Sequence, residues 1–94
     1  MQYLLRYTKH AIADLAALDE RVMRRIVAKI EYFAATSNPM RYAKALTGGL
    51  DGRYRFRIGD YRVVFRQTKE GLVTILHVVH VGHRSDVYGK SIGD

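Results

Sequence analysis

The chain has 94 residues, no cysteine, and 16 Lys+Arg against 9 Asp+Glu, giving a net charge of +7 and a pI near 10.0. That length fits one domain with a modest core, and a 48% hydrophobic content with mean hydropathy −0.19 excludes a disordered chain. There is no apolar run long enough to span a bilayer and no cysteine for a disulfide framework or a thiolate metal site.

The N-terminal "MQYLLRYTKH" lacks the long apolar region of a secretory signal, so the expected location is cytoplasmic. The charge excess attracts polyanions, nucleic acid foremost. A basic soluble protein with no such role is the alternative at this point.

Residues 2–7, "QYLLRY", read as a short strand. Thr8 is placed to cap a helix that carries Ile12, Leu15, Ala16 and Leu18 on one side. Asp19 is placed to cap a second helix, with Val22, Ile26, Ile30, Phe33 and Ala34 as its apolar stripe and Arg21, Arg24, Arg25 and Lys29 largely opposite. Ser37-Asn38-Pro39 ends it. Residues 40–52, "MRYAKALTGGLDG", read as a connector with room for a helical turn, and strands follow at about 53–58, 61–67 and 72–82. The order β-α-α-β-β-β predicts an α+β domain over residues 1–94. It consists of a small antiparallel sheet with an N-terminal helical hairpin packed on one face. Residues 89–94 read as a loosely held tail.

The stretch "GRYRFRIGDYRVVF" carries the functional signal. Gly59-Asp60 suits a two-residue hairpin turn. That turn sets Ile58 across from Tyr61, Arg57 across from Arg62, Arg55 across from Val64 and Tyr54 across from Phe65. Period-two alternation then gives one apolar face (Tyr54, Phe56, Ile58, Tyr61, Val63, Phe65) and one cationic face (Arg53, Arg55, Arg57, Arg62, Arg66). Like charges directly opposite cost a few tenths to about 1 kcal/mol per pair. A solvated face, where salt screens the repulsion, is the structural reading. The functional reading is an anion site, because guanidinium forks suit phosphate oxygens. Five arginines and no lysine between 53 and 66 favour the second.

Downstream, "LVTILHVVHVGHRSDVY" contains His77, His80 and His83. Their spacing of three belongs to a helix; on a regular strand His77 and His83 share one face and His80 the other. No metal site is expected from them. His83, just after Gly82, and Tyr88 are the groups near the arginines that can move protons, beside the cation Arg84. Metal-free RNA cleavage needs a base for the ribose 2′-OH, an acid for the leaving 5′-oxygen and positive charge for the transition state. The alternative for Tyr88 is a packing residue that anchors the tail.

The element order, the string "YRFRIGDYRVVF", the closing "VGHRSDVY" and the first-helix segment "YTKHAIADLAAL" together resemble the RelE/ParE superfamily of bacterial and archaeal type II toxins. The resemblance spans nearly the whole chain. It implies a microbial-RNase-like fold and an mRNA interferase that acts in the ribosomal A site without a cofactor or metal. Cleavage is by 2′-OH attack on the adjacent phosphate and leaves a 2′,3′-cyclic phosphate. It also implies a RelB-like antitoxin that blocks the site, with operator DNA bound only through the antitoxin complex. Carried onto this sequence, the catalytic residues are Arg55, Arg57, Arg62, His83 and Tyr88, with Arg53, Arg66, Arg84 and Lys44 as RNA phosphate contacts. The prototypes carry Lys where this chain has Arg55 and Arg57, and an "RER"-like run where it has "GHR". No Glu occupies the hairpin face. Two alternatives stand: a ParE-like DNA gyrase inhibitor without nuclease activity, and a non-catalytic basic nucleic-acid-binding module.

Overall fold

A computed structural model describes residues 2–46 and 52–83. Strand β1 (Gln2–Tyr7) leads into helices α1 (Lys9–Ala16) and α2 (Glu20–Ala35). A short 3-10 turn at Pro39–Tyr42 follows, and then strands β2 (Ala43–Ala45), β3 (Arg53–Ile58), β4 (Tyr61–Glu70) and β5 (Val73–His83). Among the described residues one sheet forms in the order β1-β5-β4-β3-β2. Its two helices and sheet make the α+β fold that the pattern predicts.

Both helix starts follow from their caps. Thr8 Oγ1 accepts from the Ala11 backbone N–H at 3.1 Å, and Asp19 Oδ1 accepts from the Arg21 N–H at 2.9 Å. Each satisfies an N–H that the first helical turn leaves unpaired. The α2 stripe buries Ile26, Ile30 and Phe33, with Val22 and Ala34 half-buried beside them. On α1 the buried residues are Ala11 and Leu15. Ile12 and Ala16, read from the sequence as apolar-face residues, are exposed instead, and with Tyr7, Leu15, Met23 and Val27 they line an open apolar hollow of about 350 Å³.

The core lies between the helices and the apolar side of the β3–β4 hairpin. Phe33 of α2 meets Phe56 at 4.8 Å between ring centroids, and Phe56 stacks on Phe65 at 4.4 Å. A buried aromatic of this kind contributes about 1.5–3 kcal/mol from area alone, and ring pairing adds to it.

Two features depart from the simple hairpin-plus-helices reading. The connector contains β2, three residues that pair antiparallel with β3, setting Lys44 opposite Arg55. The sheet is also mixed, because β1 runs parallel to β5, with Arg6 opposite His77. The Thr8 N–H extends this contact by donating to the Val78 carbonyl at 3.0 Å. No helix of the described residues is long and apolar enough to cross a membrane.

Candidate nucleic-acid interface

The hairpin has the register that its turn dictates. Gly59 has φ +59°, which a two-residue turn requires and which side chains disfavour. From there Ile58 pairs with Tyr61, Arg57 with Arg62, Phe56 with Val63, Arg55 with Val64, Tyr54 with Phe65 and Arg53 with Arg66. Side chains directly opposite on neighbouring strands share a face, with Cβ atoms about 4.5–5.5 Å apart. Two like-charged arginine pairs therefore stand on the side of the hairpin away from the aromatic core.

Extending these pairings across the sheet gives three rows on that outer side. The first runs Arg57–Arg62–Gly82, the second Lys44–Arg55–Val64–His80, and the third Arg53–Arg66–His77–Arg6. The structure thus brings Arg53, Arg55, Arg57, Arg62, Arg66 and Lys44 onto one continuous surface. It adds His77, through the β4–β5 pairing, and Arg6, which joins because β1 pairs in parallel with β5.

The rows are not uniformly solvated, which corrects the idea of a flat cationic surface. Arg53, Arg57, Arg66, Lys44 and Arg6 are exposed, whereas Arg55 is 9% exposed and Arg62 only 1%. Arg53, Arg55 and Arg62 each make polar or electrostatic contacts within the chain. Val64, beside them in the second row, is also buried. Charges withdrawn from water are screened less by salt, so the contacts that Arg62 makes are less salt-sensitive than those of an exposed arginine.

A bulge re-sorts the histidines. Between the Val64–His80 and Phe65–Val78 pairs, β5 spends one extra residue, Val79. A single inserted residue reverses the parity of everything beyond it. His77 consequently stands opposite Arg66, on the arginine side, while His83 stands opposite Tyr61, on the apolar side. The two do not share a face, contrary to the alternation of a regular strand. His83 packs its ring edge-on to Tyr61 at 5.3 Å, one residue past the Gly82 that closes the first row. His80 stands opposite Val64, and its Nδ1 lies 2.8 Å from Asp14 Oδ2 of α1. Arg84 and Tyr88 lie outside the described residues.

The chain that builds this sheet, its helical pair and its arginine rows falls in the class of the type II toxins. Residues 5–88 match the family model of the ParE toxin of type II toxin-antitoxin systems, parDE, and the chain belongs to the RelE/ParE family of such toxins. Over 90 residues it is 31% identical to Toxin RelG of Mycobacterium tuberculosis (strain ATCC 25618 / H37Rv), covering 96% of this chain and all of that one. Among solved structures it is similar to a chain of the toxin-antitoxin complex RelBE2 from Mycobacterium tuberculosis. That match has 30% identity and a TM-score of 0.65, and covers 89% of this chain and all of the other. A mutant of E. coli toxin RelE in the free state shares the fold at 20% identity and a TM-score of 0.67, covering 99% of this chain and 95% of that one.

Proposed function

We propose that this toxin is a ribosome-dependent mRNA endoribonuclease. The observation that carries the reading is the cross-strand pair Arg57–Arg62, with Arg55 beside it and no carboxylate among the facing positions of β3 and β4 from Arg53 to Arg66. A sheet that served packing alone would gain from an acid in one of those places. An RNA phosphate seated over the first row would offset the repulsion instead.

In the cleavage step a base takes the proton from a ribose 2′-OH, and the 2′-oxygen bonds to the adjacent phosphorus. The bond to the 5′-oxygen breaks, and an acid protonates that oxygen, leaving a 2′,3′-cyclic phosphate. Arg57, exposed, contacts the phosphate, while Arg55 and Arg62 supply charge from behind it as the transition state gains negative charge. Tyr88 is the candidate for one of these two groups; His83, the other candidate from the sequence, stands on the Tyr61 side of the sheet, across from the arginine rows. None of these steps calls for a metal or cofactor. A RelB-like antitoxin is the proposed partner, supported by the 30% identity to a chain of the toxin-antitoxin complex RelBE2. The proposed location is the cytoplasm, where ribosomes and mRNA are found.

A second reading, inhibition of DNA gyrase, is favoured by one observation: the matching family model is that of the ParE toxin. Primer extension on an mRNA translated with the purified protein separates the two. Cleavage within codons, lost in Tyr88→Phe and Arg57→Ala, supports the nuclease. Intact mRNA together with blocked DNA supercoiling would establish the second reading in its place.

A further inference from the structure

On the opposite edge of β5 from the hairpin, three side chains converge that the arginine site does not use. His10 and Asp14 lie four residues apart on α1, so they project from the same side of the helix. His80 comes to them from β5. His10 Nε2 is 3.2 Å from His80 Nδ1 and 3.4 Å from Asp14 Oδ2, and His80 Nδ1 is 2.8 Å from the same Oδ2. Among the described residues this is the group of His and acidic side chains compact enough to hold a metal ion. We propose that His10, Asp14 and His80 bind one divalent transition-metal ion of the zinc class.

In the absence of an ion, hydrogen bonds hold this triangle together, and its atoms are also those a cation would take. His80 Nδ1 meets the carboxylate at a hydrogen-bond length, which requires it to carry the proton. His10 Nε2, 3.2 Å from the same nitrogen and 3.4 Å from Asp14 Oδ2, either accepts a second branch of that proton or donates its own to the carboxylate. A cation at the centre satisfies all three atoms at once.

The dimensions suit it. Zinc takes imidazole nitrogen and carboxylate oxygen at about 2.0–2.2 Å, so neighbouring ligand atoms of a tetrahedron lie about 3.3–3.5 Å apart. Of the two sides that meet at His10 Nε2, one at 3.4 Å has that length and the other, at 3.2 Å, falls just short of it. The third lengthens when the His80 proton leaves, as metal binding requires. Asp14 is held for the purpose, since the Val81 backbone N–H donates to Oδ2 at 2.9 Å and orients the carboxylate, an outer contact of the kind that tunes metal ligands. Two imidazoles and one carboxylate favour zinc, cobalt, nickel or copper over magnesium and calcium, which take oxygen. With three protein ligands the fourth position is left to water. The ion would pin the eight-residue α1 to β5, and the proposal stands apart from any reading of the nuclease site.

The test uses the untagged 94-residue chain, freed of metal by a chelator and titrated with Zn²⁺ by calorimetry and with Co²⁺ by visible absorption. The expected result is one ion per chain, a tetrahedral Co²⁺ spectrum and a melting temperature that rises with Zn²⁺. His10 has an exposed side chain (67%), so His10→Ala keeps the fold, which circular dichroism verifies. That variant should bind at least about tenfold more weakly and lose the thermal shift, while His77→Ala keeps both. Failure of the wild-type chain to bind Zn²⁺ saturably overturns the proposal, as does undiminished affinity in His10→Ala.

Discussion

Arg57 and Arg62 face each other across β3 and β4 at unequal depth, the first exposed and the second 1% exposed. Depth separates what each does for the fold from what it does for the site. Truncating Arg57 relieves a like-charge contact and uncovers little, so Arg57→Ala should leave stability unchanged or raise it by up to about 1 kcal/mol. Arg62 fills space as well as carrying charge. Arg62→Ala should cost about 2–4 kcal/mol, and Arg62→Met, which keeps most of the buried stem, much less. Urea unfolding of the three variants reads this ordering. In the cleavage assay all three should fall, by about 10²-fold or more for either Arg62 variant. A cleaving Arg62→Met would remove Arg62 from the mechanism.

The third row, Arg53–Arg66–His77–Arg6, bears on binding rather than chemistry. Its three arginines are exposed, so their contribution to RNA affinity is counterion release. Each of Arg53→Ala, Arg66→Ala and Arg6→Ala should weaken binding of a single-stranded RNA independently of its sequence. Each should also reduce the slope of log K against log salt by about 0.7. Fluorescence anisotropy across a salt series measures both. An unchanged slope in Arg6→Ala would show that the interface does not extend to β1.

The contrast between those two arginine rows marks what a linear reading reaches. The hairpin register was legible because Gly59-Asp60 permits one tight turn, and a turn fixes every pair beyond it. Alternation gave the face of Arg62 but not its burial, since burial depends on neighbours in other strands. Arg6 could not be assigned because nothing local specifies that β1 docks parallel to β5. The Val79 bulge sits in "HVVHV", where no glycine announces it, and it moved His83 across the sheet from His77. Strand β2 is three residues long, too short for a periodic signal. The second cluster was not read from the sequence: His10 and Asp14 are four residues apart, but their third member lies 66 residues beyond Asp14.

Gly59 gives a direct check on the turn. Its φ of +59° is left-handed, and a β-carbon there would meet no atom within 4 Å, so only backbone strain opposes substitution. Gly59→Ala should cost about 1–2 kcal/mol. Gly59→Asn should cost distinctly less, because Asn enters that region more readily. Equal costs for the two, read by thermal unfolding, would mean that something other than φ limits the position.

Tyr7 makes stability depend on alkaline pH. Burial, and secondarily the charge of Glu31, raise its pKa above the ordinary value of 10.0. A phenol whose folded pKa exceeds its unfolded one keeps its proton longer when folded. Its full contribution is therefore present below the unfolded pKa and is lost as pH rises through the folded one. Stability should fall as pH rises above about 10, and Tyr7→Phe should flatten that fall. The same variant tests the hydroxyl itself, which is buried with no hydrogen-bond partner among the described residues. An unsatisfied buried hydroxyl costs about 1–3 kcal/mol, so replacing it by hydrogen should make the protein more stable at neutral pH as well. Denaturant melts of wild type and Tyr7→Phe at neutral and alkaline pH give both quantities. A less stable Tyr7→Phe at neutral pH would show that the hydroxyl has a partner, and would shift the explanation of the raised pKa from burial to that bond.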